Sequence, residues 1–337
     1  MESAKFRYLS LEDIMALEVS YTEVLDAVES AMSEFARGTC QDPVKIHVNT
    51  RPQTYINAMP AYLGGSHDLT GLKWVAGYPE NRKKGLPVTW GLMVMNNSDT
   101  GGIEAVMDAR WITAVRTAAV AAVTAKYCKP ANTRTMTIIG AGEQGKWNAR
   151  LFKLAVPELE RVYVTDIYEP AVDAYLKKMQ PLMPDVEFVP FYTDEERQKC
   201  IDDSQILLSA TQRGDKPLIF CENLHKGMLG IPLESTAWEG KTYTRYADRF
   251  VCDDWNLVLR YLEDGKYTDG LPDEYCLLGQ IINGDVPGRA SEDEFVIASS
   301  HGISITDVAV GGLLLERAKS SGIGTELTLM ETEDILR

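Results

Sequence analysis

Thr135-Met136-Thr137-Ile138-Ile139-Gly140-Ala141-Gly142-Glu143-Gln144-Gly145 runs from five strand-forming residues into the pattern G-x-G-x-x-G, and residues 143–155 continue with helical periodicity. Glycine patterns are common, but one set between a strand and a helix specifies a phosphate-binding turn. Gly140 permits the tight turn, Gly142 lets a pyrophosphate approach the backbone, and Gly145 lets helix and strand pack closely. Ala141, Glu143 and Gln144 complete the turn, and the helix start presents N–H groups to the phosphates. The next strand, residues 162–166, ends in Asp166, about twenty residues beyond Gly145, where a dinucleotide site places its ribose-binding acid. A carboxylate there accepts hydrogen bonds from a 2′-hydroxyl and repels a 2′-phosphate. Ile167 and Tyr168 follow, with no adjacent Arg or Lys, so NAD is expected rather than NADP.

Working outward, strand candidates at 135–139, 162–166, 186–191 and 205–210 alternate with helix candidates at 143–155, 170–179 and 194–201. That alternation marks a parallel sheet with covering helices. Further strands are expected at 228–231, 249–252 and 294–297, helix with loops over 253–290, and a last helix over 306–319 before a glycine turn and a charged tail. Ser209, Ala210 and Thr211 close the fourth of these strands, where such sheets meet their ligand. Upstream the rhythm differs. The first forty residues read as helix, with Leu11, Ile14, Val24, Val28, Met32 and Phe35 among the periodic positions. Extended runs at 44–48, 54–59, 72–78, 90–95 and 103–107 follow without intervening helices, so a largely antiparallel sheet is expected. Asp108 reads as the N-cap of an alanine-rich helix over 109–127.

The full chain has 337 residues, 45% hydrophobic and 25% charged, an ordinary composition for about two folded domains. The net charge of −15 disfavours nucleic acid and anionic membrane as partners. No run reaches the roughly 20 apolar residues of a membrane helix, and residues 1–10 carry no secretory signal pattern. Six dispersed cysteines without a C-x-x-C pair and four scattered histidines argue for a reduced, cytoplasmic protein with no metal centre.

Several ordered motifs add a resemblance. Ala58-Met59-Pro60-Ala61-Tyr62, Gly71-Leu72-Lys73-Trp74-Val75, Pro79-Glu80-Asn81, Gly85-Leu86-Pro87 and Thr113-Ala114-Val115-Arg116-Thr117-Ala118-Ala119 precede the glycine turn, and Gly302-Ile303-Ser304-Ile305-Thr306-Asp307-Val308-Ala309 closes the series. Together they resemble the ornithine cyclodeaminase/mu-crystallin family. The resemblance implies an α/β chain: a Rossmann dinucleotide-binding domain over 131–303, and an α+β substrate-binding and dimerisation domain from 1–130 with 304–337. It implies a homodimer, and NAD-dependent oxidoreduction at the Cα–N bond of an amino acid or imino acid. By the same resemblance Lys73 and Arg116 are the catalytic and carboxylate-binding residues. Lys45 and Met59 join them at the substrate, and Thr117 and Asp307 join the glycine turn, Asp166 and 209–211 at the cofactor.

The residues themselves leave alternatives open. Arg116 on a small-residue helix can fork onto a carboxylate or face solvent. Lys73 in an apolar strand lines a pocket or points outward. Asp307 can cap the last helix or approach the cofactor. One departure matters. Where cyclodeaminases carry an acid after the fourth Rossmann strand, this chain has Ile231. Isoleucine cannot move protons, so simple ornithine cyclisation is disfavoured, and Glu234 is the nearby carboxyl that could take the role. A cyclodeaminase and a crystallin-like cofactor-binding protein are the competing functions.

Overall fold

A computed structural model describes residues 4–211 and 216–331. In chain order the elements are β1 (Ala4–Leu9), α1 (Leu11–Ala16), α2 (Tyr21–Ala36), β2 (Ile46–Val48), β3 (Tyr55–Leu63), β4 (Leu69–Gly77), β5 (Thr89–Asn96), β6 (Ile103–Asp108) and α3 (Arg110–Cys128). There follow β7 (Thr135–Ile139), α4 (Glu143–Ala155), β8 (Arg161–Thr165), α5 (Glu169–Leu182), β9 (Glu187–Pro190), α6 (Asp194–Asp202), β10 (Ile206–Ser209) and β11 (Leu229–Pro232). The chain ends with β12 (Arg249–Cys252), α7 (Trp255–Glu263), β13 (Cys276–Leu277), α8 (Leu278–Ile282), β14 (Val296–Ser299), α9 (Ser304–Ser321) and β15 (Thr325–Met330). They form two compact units: Met1–Arg116 with Ile303–Arg337, and Thr117–Gly302.

The first unit is a seven-stranded sheet in the order β15-β1-β6-β5-β4-β3-β2. It is antiparallel except where β1 lies parallel to β6. Alternation gives it two unlike faces. On the inner face Met59, Lys73, Met93 and Met107 stand side by side in register across β3, β4, β5 and β6, all buried. Helix α9 packs on β3, β4 and β5, and α2 packs on α9. A Cβ on Gly311 would lie 2.9 Å from Met95 Sδ, and one on Gly312 would lie 2.5 Å from Leu69 Cδ1. The two glycines therefore let α9 settle directly onto the sheet.

The N-terminal region differs from the expected single helix. A strand comes first, and two helices follow, each opened by its own capping box, Ser10 with Asp13 and Ser20 with Glu23. Between them Glu18 takes φ +50°, which no helix continues through. The expected charged tail instead supplies β15, which pairs with β1. Asp108 ends β6 and accepts the Arg110 amide at 2.9 Å, so it does serve the start of α3.

The second unit is an eight-stranded sheet, β13-β12-β14-β11-β10-β7-β8-β9, in which every pairing is parallel. The chain runs from β7 outward to β8 and β9, then returns to β10 on the other side of β7. That reversal opens a crevice at the carboxyl ends of β7 and β10, where doubly wound sheets bind ligands. The 253–290 stretch, read as helix with loops, also holds the short strand β13.

Candidate active site

At the carboxyl end of β7 the three glycines have separate reasons. Gly140 has φ +122°, and a Cβ there would lie 2.4 Å from the Ala210 carbonyl oxygen. On Gly145 it would lie 2.1 Å from the Gly140 carbonyl oxygen. Neither position admits a side chain. Gly142 meets nothing within 4 Å, so its absent side chain leaves open space in front of the N-terminus of α4. That helix has no side-chain cap, and its first turn is formed by Glu143, Gln144 and Gly145. An open cradle at the N-terminus of a helix suits an anionic group.

Asp166, just past β8, sits against this turn. Its carboxylate accepts the Ala141 amide at 2.9 Å and the Tyr168 amide at 3.1 Å. Ile167 and Tyr168 are exposed beside it. At the end of β10, Ser209 accepts the Trp238 indole N–H at 2.7 Å, and Ala210 donates its amide to the Ile139 carbonyl. Thr211 donates its hydroxyl to Glu234 at 2.9 Å. Ile231 is buried within β11, beside Leu208 of β10. The carboxyl at this strand end is that of Glu234. Burial pushes it up to about 7, against hydrogen bonds from Thr211 and Ser209 that favour its charged form.

The first unit holds a buried charge cluster. Asp307 Oδ1 accepts Lys73 Nζ at 2.7 Å and Arg116 Nε at 2.9 Å. Lys73 and Asp307 are fully buried, and Arg116 nearly so. Burial pushes Lys73 down to about 7; the Arg116 and Lys45 charges add to this, and the Asp307 ion pair opposes it. Arg116 uses only Nε on Asp307, so its two terminal nitrogens form a fork with no hydrogen bond to the described residues.

The local folding explains the meeting. Register puts Lys73 between Met59 and Met93 on the inner face. Asp307 precedes Gly311 by one turn on the same side of α9, and Gly311 packs directly against Met93 and Met95. Asp307 is not the cap of α9. The N-cap is Ile303, whose side chain caps nothing; the Ser304 and Ile305 amides go instead to Asp42 Oδ1, at 2.9 and 3.1 Å.

The structure thus collects the sequence-derived residues into two groups. Met59, Lys73 and Arg116 lie in the first unit, with Lys45 near enough for its charge to act on Lys73. Gly140–Gly145, Asp166 and 209–211 lie in the second. Asp307, expected beside the cofactor residues, has Lys73 and Arg116 as its partners. Thr117 is the next residue along α3, half-buried. Asp42 was not anticipated, because nothing in its neighbourhood marks a carboxylate that caps a helix 262 residues away. Among the described residues no cluster suits a metal ion, and no helix is long and apolar enough to cross a membrane.

Comparison with known proteins matches residues 7–322 to the sequence model of the ornithine cyclodeaminase/mu-crystallin family. The chain is 31% identical over 324 residues to the nodulation efficiency protein NfeD of Rhizobium meliloti, covering 96% of this chain and 98% of that one. It superposes on Thermococcus litoralis Δ1-pyrroline-2-carboxylate reductase, solved with NADH and L-proline, with TM-score 0.83 and 25% identity, covering 95% of this chain and 99% of that one. It superposes equally on an archaeal alanine dehydrogenase dimer with bound NAD, TM-score 0.83 and 26% identity, covering 97% and 100%.

Proposed function

The chain belongs to the ornithine cyclodeaminase/mu-crystallin family, and from that premise we propose that it is an NAD(H)-dependent oxidoreductase acting on the Cα–N bond of an amino acid or its imine. One observation carries the reading furthest: a buried cluster of two cations on one carboxylate, with an arginine fork to spare. Its surplus positive charge suits an acid group brought in by a small ligand.

The cradle before α4 fits the pyrophosphate of NAD. Gly140, Ala141, Gly142, Glu143, Gln144 and Gly145 supply the turn and its amides. Asp166 exchanges the Ala141 amide for ribose hydroxyls, and Thr117, Ser209, Ala210 and Thr211 bound the same site. Bound NAD supplies or accepts the hydride. Arg116, helped by Lys45, grips the substrate carboxylate, Met59 walls the pocket, and Lys73 holds or releases a proton close to physiological pH. In the oxidative direction neutral Lys73 takes a proton from the substrate amine; in the reductive direction charged Lys73 returns one.

The test is absorbance at the nicotinamide band across α-keto acids mixed with amines, cyclic imines and α-amino acids, with NADH and NADPH compared. Turnover with some member, and preference for NADH, is expected. No turnover together with no NADH binding would overturn the reading. Ammonia release from ornithine or lysine without net change in NADH would favour the cyclodeaminase alternative.

The outer face of the seven-stranded sheet supports a homodimer. Ile46, Trp74 and Leu92 lie along one row with Ala58, and Trp90 lies beside Ala76 in the next. Ile46 is 65% exposed and Trp90 51%. Tryptophan and aliphatic side chains grouped on one strand face mark an interaction surface, and a second copy is the proposed occupant. Light scattering should give a dimer for the wild type and a monomer for Trp90→Asp at micromolar concentration; a monomeric wild type would refute this. Cytoplasmic residence accords with six cysteines that are all free.

A further inference from the structure

Asp307 is bound asymmetrically. Both cations lie on Oδ1, while Oδ2, also buried, has no hydrogen-bond partner among the described residues. A carboxylate offers about four acceptor positions, and a buried acceptor left unmet is costly. The helix that carries Asp307 is fixed at both ends of its first two turns, by Asp42 on the Ser304 and Ile305 amides and by Gly311 against the sheet methionines. The unmet oxygen is therefore held in a set place, on the carboxylate that Arg116 Nε also touches.

The chemistry of an α-amino acid matches that pairing. Its nitrogen is bonded to the carbon that bears the carboxylate. A ligand whose acid group lies on the Arg116 fork brings its nitrogen close to Asp307, because Arg116 Nε is 2.9 Å from Oδ1 of the same carboxylate. Resting on the functional reading above, we propose that Asp307 Oδ2 is the seat of the substrate's α-nitrogen, accepting an N–H of the amine or protonated imine. The residue then sorts ligands. Molecules with a donor on the α-carbon complete the carboxylate, and molecules with only hydrogen or a carbonyl oxygen there leave Oδ2 unmet or face it with a second acceptor.

The experiment uses the full chain with saturating NAD⁺. Dissociation constants are measured by calorimetry for the proteinogenic α-amino acids and ornithine, each beside the nitrogen-free carboxylic acid of the same carbon skeleton. The best-bound amino acid should exceed its nitrogen-free counterpart by about 30-fold in the wild type, the range of a hydrogen bond to a charged group. In Asp307→Asn, whose amide places a donor where the substrate donates, that ratio should fall to within about 3-fold. NADH should bind the variant nearly as before, because the glycine turn belongs to the other unit, and the variant should still unfold in one cooperative transition, which a general loss of structure would not allow. A wild-type ratio near one overturns the proposal whatever the variant does, and so does a ratio unchanged by the substitution in a folded variant. If the wild type binds NAD⁺ and neither ligand series, or no NAD⁺ at all, it is the functional reading that falls.

Discussion

Arg116→Ala should lower kcat/KM for the amino or imino acid by roughly 10²–10³, about 3–4 kcal/mol of lost transition-state binding. The loss has two parts. The substrate carboxylate loses a charge-assisted fork. Asp307 also loses one of its two buried partners, and the remaining carboxylate then draws more strongly on Lys73. Arg116→Lys should recover only part of the rate, because an ammonium keeps the charge but not the paired geometry. NADH affinity should stay within about 2-fold in both variants, since the glycine turn belongs to the other unit. Steady-state kinetics and cofactor fluorescence check this; a loss under about 10-fold would mean that Arg116 does not bind substrate.

The second large effect concerns Lys73. Lys73→Met should reduce turnover by roughly 10²–10⁴, the usual contribution of a positioned acid or base. The wild-type pH profile should break near 7, where burial places this ammonium. Oxidation of the amine needs the neutral form, so its rate should rise through that pH and level off. Reduction needs the charged form and should fall. Glu234 also titrates near 7, so Glu234→Gln serves as the control. The break should survive in Glu234→Gln; if it disappears there, Glu234 carries the proton instead. The same two groups act oppositely on stability. Folded Lys73 holds its proton less firmly than the unfolded chain does, so its contribution improves as pH rises from about 7 toward the ordinary lysine range. Folded Glu234 holds its proton more firmly, so its contribution is complete below the ordinary carboxylate range and is lost as pH rises to about 7.

The glycine turn could be read in advance because its constraints are local. A side chain on Gly145 would collide with the Gly140 carbonyl oxygen of the same turn, and Gly140 itself takes φ +122°. The alternation of strands and helices from Thr135 onward is likewise a short-range pattern. What escaped were long-range pairings. The strand Ala4–Leu9 is short and precedes two strongly periodic helices, and its partner Thr325–Met330 carries alternating polar residues that read as a tail. Each becomes a strand only because the other is there. Lys73 had two open readings, and the register of β3, β4 and β5 selects the inner face. Asp307 could be placed correctly only by noticing Gly311 one turn later, the residue that brings its helix onto the sheet.

The same pairing of β1 with β15 has a consequence for biosynthesis. The second unit, Thr117–Gly302, is synthesised before Asp307, but the sheet of the first unit waits for residues 325–330 to emerge. Translation that ends between Gly302 and Asp307 would leave a chain with its glycine turn but without the acid that organises its lysine and arginine.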